Sequence, residues 1–262
     1  MKQAIRALTI ATTVLWILLV AFSATSIYSA LKLSFGFGEP RASASSEVLT
    51  MSLPFYVDNG GFYDISDLNV ITAIHSNDGT LISNSTTLIP LISRGGRVDT
   101  AHNISISMDA VISKNLTSLL FQDSVFDIDV LVTLIFAHAI PLQLSSNMTL
   151  PWGAPLANLS IGEISFIPIN LTHFRIITPI SFENHSFFAL NGTLTLKLID
   201  GQNQNVGAGA TNISVPPMNG CSTQVEVVVP SDSRTPTEAR IYFKTSAFSF
   251  GPVEIPVVMP SG

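Results

Sequence analysis

One stretch of this chain occurs twice. Residues 54–68, PFYVDNGGFYDISDL, read Pro, two residues, an apolar residue, an acid, Asn, two residues, Phe, an aromatic, one residue, then Ile or Leu. Residues 179–190, PISFENHSFFAL, repeat that order without a gap: Pro54, Val57, Asp58, Asn59, Phe62, Tyr63 and Ile65 are answered by Pro179, Phe182, Glu183, Asn184, Phe187, Phe188 and Leu190. The offset of 125 residues (179 − 54) is far longer than the roughly 20–50-residue period of a solenoid. A chain of 262 residues organised this way is expected to hold two similar domains, each large enough for its own core.

Between these landmarks the apolar residues alternate, as they do on strands with one buried face. In the first domain the alternation predicts strands at 47–57, 68–75, 80–87, 98–108, 125–139 and 142–150, with a tight turn at Asn77-Asp78-Gly79. Val111, Ile112, Leu116, Leu119 and Leu120 fall at helical spacing instead, which predicts a short helix within 109–122. The second domain predicts strands at 174–183, 192–199, 206–215, 223–229, 239–248 and 253–258, its insert shrunk to 231–239. Gly207-Ala208-Gly209 inside a strand marks a bulge or a close backbone approach. The fold class expected is all-β, two β-sandwich domains in tandem.

Ahead of them lie 23 uncharged residues, Leu8–Ala30, long enough to cross about 30 Å of hydrocarbon as a helix. Lys2 and Arg6 precede this segment and Lys32 follows it, while Trp16 and Tyr28 are candidates for the interfaces. The charge bias places the N-terminus in the cytoplasm. Tyr28-Ser29-Ala30 is also a tolerable signal-peptidase context, but the uncharged run exceeds the usual 7–15-residue signal core, so a retained single-pass anchor in the cell membrane is expected. The organisation read from the sequence is a cytoplasmic N-terminus at 1–7, an anchor at 8–30, a linker at 31–46, domains at 47–150 and 165–262, and a second linker at 151–164. Beyond residue 32 there are 9 basic and 18 acidic residues. No Lys/Arg cluster offers phosphates a patch, which excludes nucleic acid as a partner.

Nine Asn-x-Ser/Thr sites follow the apolar segment: Asn84, Asn103, Asn115, Asn147, Asn158, Asn170, Asn184, Asn191 and Asn212. Fifteen Asn residues and a Ser/Thr share near one fifth would give about three by chance, so these are read as N-glycan acceptors on an exported domain. At six of them the middle residue is Ile, Leu or Met, which on a strand turns Asn outward and the apolar residue inward. The site at Asn115, close to the apolar face of the expected helix, should be the least glycosylated. Cys221 is alone, so no internal disulfide framework exists.

The tandem Pro-x-x-Φ-acid-Asn-x-x-Phe-aromatic openings, the strands that follow them and the mid-domain helix resemble the second late embryogenesis abundant group, the WHy (water stress and hypersensitive response) type. The resemblance covers about 210 residues as two copies. It implies small seven-stranded fibronectin-like sandwiches behind a membrane helix, in a stress, cell-surface or lipid-binding protein, and it carries no active site. In it Pro54, Asn59, Pro179 and Asn184 are structural. Many sequons without disulfides fit an archaeal source.

No catalytic, cofactor or metal constellation emerges. His75, His102, His138, His173 and His185 never take metal-ligand spacing, and there is no nucleophile elbow or phosphate-binding loop. Asp123, Asp127 and Asp129 are the nearest approach to a calcium site, although Asp127 and Asp129 at alternate strand positions also make a solvated face. An enzyme is not expected. Two function classes remain: a glycosylated structural or interaction ectodomain with an unidentified partner, or a lipid-binding module that holds an acyl chain between its sheets. Filled cores favour the first and a continuous apolar cavity the second.

Overall fold

A computed structural model describes residues 2–113, 116–231 and 235–257. It begins with one helix, α1 (Lys2–Ala30), whose segment Leu8–Ala30 is long and apolar enough to cross a membrane. The rest is mostly strand. In the first module these are β1 (Leu33–Phe37), β2 (Arg41–Ser45), β3 (Val48–Asn59), β4 (Ile65–His75), β5 (Leu81–Ile92), β6 (Arg97–Ser107), β7 (Ser124–Phe136) and β8 (Ile140–Trp152). The second comprises β9 (Ala157–Ile161), β10 (Ser165–Asn170), β11 (His173–Asn184), β12 (Leu190–Asp200), β13 (Asn205–Val215), β14 (Asn219–Pro230), β15 (Pro236–Thr245) and β16 (Ser249–Pro256). A short helix, α2 (Met108–Ser113), and a 3₁₀ turn at Thr117–Leu120 stand where a single helix was expected. Asn115 lies outside the described residues, as does part of the insert expected at 231–239.

Each module is a fibronectin-like sandwich of two antiparallel sheets, and the two have one topology. In the first, β1 and β2 share one edge of β3 while β6 pairs with the other, and this sheet faces β5-β4-β7-β8. In the second, β9 and β10 share one edge of β11, β14 takes the other, and the facing sheet is β13-β12-β15-β16. The offset of 125 residues holds at both ends of β3 against β11 and of β4 against β12. The module also starts earlier than expected. Residues 31–46 and 151–164, read as linkers, contain the split first strands β1 with β2 and β9. Edge strands pair on one side only and need no strict apolar alternation, which is why their sequence looks like a stalk.

The cores do not follow the modules. Phe55, Val57, Ile65, Leu68, Ile89, Ile92, Leu134 and Phe136 form a separate cluster in the half of module one nearest α1. The other half, with Leu49, Ile74, Ile106, Leu120, Phe126 and Trp152, is continuous with the core of module two. Between the clusters lies a buried polar layer on β6, β4 and β5: His102 Nδ1 is 2.9 Å from Thr87 Oγ1 and its Nε2 3.0 Å from Thr72 Oγ1. Burial pushes the His102 imidazole below its ordinary 6.5, because a charged ring there would lose hydration.

The glycines at 207 and 209 mark a close approach, with a register shift beside them between Leu198 and Ile199. A Cβ on Gly209 would lie 2.0 Å from the Glu226 carbonyl oxygen, so β13 and β14 close the sandwich backbone to backbone. Gly209→Val is expected to destabilise the protein by about 1–3 kcal/mol, the usual cost of overpacking, whereas Gly220→Ala, with space around it, should leave denaturant unfolding almost unchanged.

Candidate functional site

The repeated motif forms the same device in both modules: a tight loop pinned by a buried Asn. Asn59 ends β3, and its side-chain amide donates to the carbonyls of Tyr63 at 2.9 Å, Ile92 at 3.2 Å and Ser93 at 3.3 Å. Asn184 ends β11 and donates to Phe188 at 2.9 Å, Pro216 at 3.1 Å and Val215 at 3.4 Å. In each case the side-chain oxygen accepts from the backbone two residues on, Gly61 at 3.3 Å and Ser186 at 3.1 Å. This is the Asx turn that Asn favours, extended across the sheets by its two amide hydrogens. Both Asn side chains are buried, so an apolar replacement would leave carbonyls without partners.

The two loops differ at one position, and a residue from elsewhere fills the difference. In module two Ser186 Oγ accepts from the Phe188 N–H at 3.4 Å and donates to the Asn184 oxygen at 2.6 Å. In module one that position is Gly61, and the hydroxyl comes from Ser29 in the last turn of α1. Ser29 Oγ accepts from the N–H groups of Phe62 at 2.9 Å and Tyr63 at 3.4 Å. A Cβ on Gly61 would sit 2.1 Å from that oxygen, so Gly is required for the helix to reach the loop.

Beyond the pin, each loop presents two aromatic rings to whatever precedes its module. Phe62 stacks on Tyr28 with centroids 5.3 Å apart, Tyr63 meets Phe22 edge-on at 5.7 Å, and Tyr63 Oη lies 2.7 Å from Thr25 Oγ1. Phe187 and Phe188 both pack on Trp152 at 6.1 Å. Trp152 is itself fixed by stacking on Phe126 at 5.0 Å and by donating its indole N–H to Leu119 O at 2.8 Å. One aromatic pair therefore seats module one on the helix, and the other seats module two on module one. The connection between modules is short and buried: Ala154 and Leu156 are inaccessible, Leu156 N donates to Leu120 O, and His185 N donates to Ala154 O.

A charged cluster rims this junction. His185 Nδ1 is 2.9 Å from Asp123 Oδ2, its Nε2 is 2.9 Å from Glu183 Oε2, and Asn158 Nδ2 donates to the same Glu183 oxygen at 2.9 Å. Hydrogen bonding to Asp123 and then Glu183 raises His185 above its ordinary 6.5. Asp123 is lowered by the Ala154 N–H and then His185, and Glu183 by His185 and then Asn158. These groups are substantially exposed, so solvent screens them.

The three aspartates nearest to a calcium pattern are not brought together. Asp123 faces His185, whereas Asp127 and Asp129 point outward from β7, with His75 Nδ1 3.5 Å from Asp129. Of the other histidines, His138 pairs with Asp64 at 3.4 Å and His173 with Thr172 at 2.9 Å. Cys221 is half-buried opposite Phe182, and burial raises its thiol pKa. Among the described residues no group of three His, Cys, Asp or Glu side chains could hold a metal ion.

Seven sequon asparagines are exposed: Asn84, Asn103, Asn147, Asn158, Asn170, Asn191 and Asn212. Asn184 is not one of them. Its side chain is 0 % exposed and its amide is occupied as the loop pin, so the folded module has no room for a glycan there. The inward turn of the middle residue holds for buried Ile213 but fails for Met148, 52 % exposed on β8, and for Leu171, 99 % exposed in the β10–β11 turn. Pro54 and Pro179 occupy strands β3 and β11. Ser29, Gly61 and Trp152 escaped the sequence reading as parts of the site, since the partners that give them these roles, Phe62 for Ser29, Ser29 for Gly61 and Phe187 for Trp152, lie more than 30 residues away.

No family model matches the chain, and no curated protein matches it. Among solved structures it is similar to red sea bream transglutaminase at 13 % identity and a TM-score of 0.30, covering 87 % of this chain. This chain spans about a third, 32 %, of that enzyme's length. It is also similar to the periplasmic chaperone SfaE at 14 % identity and a TM-score of 0.27, covering 86 % of this chain and 100 % of the chaperone.

Asn184→Ala is expected to cost about 1–3 kcal/mol for each carbonyl left buried without a partner, read by denaturant unfolding. Gly61→Ser should displace α1 and lower the melting temperature of the full chain in detergent, while Gly61→Ser with Ser29→Gly should recover it by rebuilding the arrangement of module two. The His185 contribution to stability is full below its unfolded pKa near 6.5 and is lost as pH rises through the higher folded pKa. Histidine NMR titration should show that higher value falling toward 6.5 in Asp123→Asn.

Proposed function

We propose that this chain is a single-pass, N-glycosylated protein of the cell envelope, its N-terminus cytoplasmic and its two sandwiches outside, acting as a structural or interaction element without enzymatic activity. The observation that carries this reading is the Ser29 hydroxyl standing in for that of Ser186. A chain cut after Ala30 would lose an oxygen that the loop of module one is built to receive, which supports a retained anchor rather than a cleaved signal. The apolar side chains of α1 are largely uncovered, among them Leu15, Trp16, Ile17 and Val20, and a bilayer would cover them. Seven exposed sequons on a charge-poor surface support glycans as the source of solubility. The duplicated module is compatible with a stress-related role of the WHy type.

A second reading, lipid binding, draws support from a largely apolar recess of about 550 Å³ at the module junction, lined by Met51, Leu150, Trp152, Phe187 and Met218 among others. It lies beside the modules' contact and not between the two sheets of one sandwich. The inward residues Leu49, Val57, Ile65, Leu194, Leu196 and Ile241 are inaccessible, which favours the structural reading over an acyl chain held inside a sandwich.

Native mass spectrometry of the full chain taken from its own membrane, before and after deglycosylation, decides between them. Hexose-type mass on several of the seven exposed asparagines, none on Asn184 and no lipid adduct is expected. A stoichiometric lipid that survives detergent exchange would overturn the structural reading, and an unmodified chain would overturn the glycoprotein.

A further inference from the structure

We infer that the loop tip of module one, Gly60-Gly61-Phe62-Tyr63, is a second membrane contact: a collar immersed in the outer interface of the bilayer, with Phe62 facing lipid. The inference rests on the retained anchor proposed above and follows from where α1 meets the module. Positions 22, 25, 26 and 29 of α1 fall on one helical face, and this face contacts or is buried by the loop: Phe22 and Thr25 against Tyr63, Ser26 and Ser29 beneath the module. The last two turns of the apolar segment therefore run alongside the loop tip instead of ending below it.

Helix length then sets the depth. Arg6 holds the inner end at the headgroups, so the hydrocarbon begins near Leu8. The roughly 20 residues needed to cross about 30 Å extend to about Ile27. Thr25 is then about 3 Å and Phe22 about 7.5 Å inside that boundary, at 1.5 Å per residue. The ring of Tyr63 reaches both residues, while Phe62 stacks on Tyr28 and Gly61 meets Ser29, about 1.5 and 3 Å outside that boundary, so the loop tip straddles it.

The chemistry of the tip suits that layer. Residues 60–63 carry no charge. Phe62 is 57 % exposed although it stacks on Tyr28, and Leu31, at the mouth of the helix, is 79 % exposed. Lys32 Nζ lies 5.6 Å over the Tyr28 ring, where an ammonium group can meet lipid phosphates. Tyr28 and Tyr63, aromatic rings with a polar end, are of the kind enriched at this boundary, and Phe62 adds an apolar face beside them. The glycan sites leave it clear: Asn84, Asn103 and Asn147 sit in the halves of β5, β6 and β8 away from the tip. Lipid is thus the occupant that fits an uncharged aromatic tip joined to a membrane helix.

The test is depth-dependent quenching in vesicles of phosphatidylcholine and phosphatidylglycerol containing doxyl-labelled lipids. Full-length chains with Cys221→Ser carry one environment-sensitive fluorophore, at Phe62→Cys, at Leu19→Cys inside α1, or at Met218→Cys in module two. Shallow doxyl-lipid should quench the Phe62 probe several-fold more than the Met218 probe, and deep doxyl-lipid should quench the Leu19 probe. A Phe62 probe no more quenched than Met218, beside a quenched Leu19 probe, overturns the collar and leaves the anchor standing. An unquenched Leu19 probe overturns the anchor and the collar together.

Discussion

Two buried amides hold this architecture in place. Asn59 and Asn184 each tie the end of the central strand of one sheet to the carbonyls of a loop leaving the other, β5 in module one and β13 in module two. No apolar side chain can do this, because the loop carbonyls are turned inward and need donors once water is excluded. With the pin in place the next few residues have one available path, and that path projects two aromatic rings from the same end of the module. The duplicated element is therefore more than a recurring strand. It is a plug, and each copy has a socket upstream: Phe22 and Tyr28 on α1, Trp152 at the end of β8.

The sockets explain why the modules form one column. A pair of sandwiches joined by an exposed linker would keep separate cores and bend freely. Here the connection is buried, the apolar cluster runs through it, and Phe121 meets Phe250 edge-on across it at 5.3 Å. The backbone supports the same joint, since Glu47 N donates to Ser246 O and His185 N to Ala154 O. Module two is thus seated on module one by packing and backbone bonds together, with the His185 cluster a screened outer rim.

Much of the fold could be read in the sequence. Two-residue alternation placed the central strands, and the doubled Pro-to-Leu motif located both loops, because those signals depend on neighbours a few residues away. What could not be read depends on distance along the chain. Ser29 in an apolar helix looks like a tolerated hydroxyl until Gly61 is seen to lack a side chain. Asn184 satisfies a glycosylation pattern, and only its three carbonyl partners reveal that the amide is already occupied. Asp123 looked like a companion of Asp127 and Asp129, yet it closes on His185, 62 residues away. The Ser- and Ala-rich segment after the apolar helix read as a linker, because one-sided pairing leaves little periodicity in β2.

The polar layer of His102, Thr72 and Thr87 has a mechanical consequence. It interrupts the apolar core inside module one, whereas no such interruption occurs at the boundary between the modules. The ladders of β3 with β6 and of β7 with β8 run through that level without a break. Backbone hydrogen bonds, and not apolar packing, therefore join the two halves of module one there, whereas packing is continuous from its far half into module two.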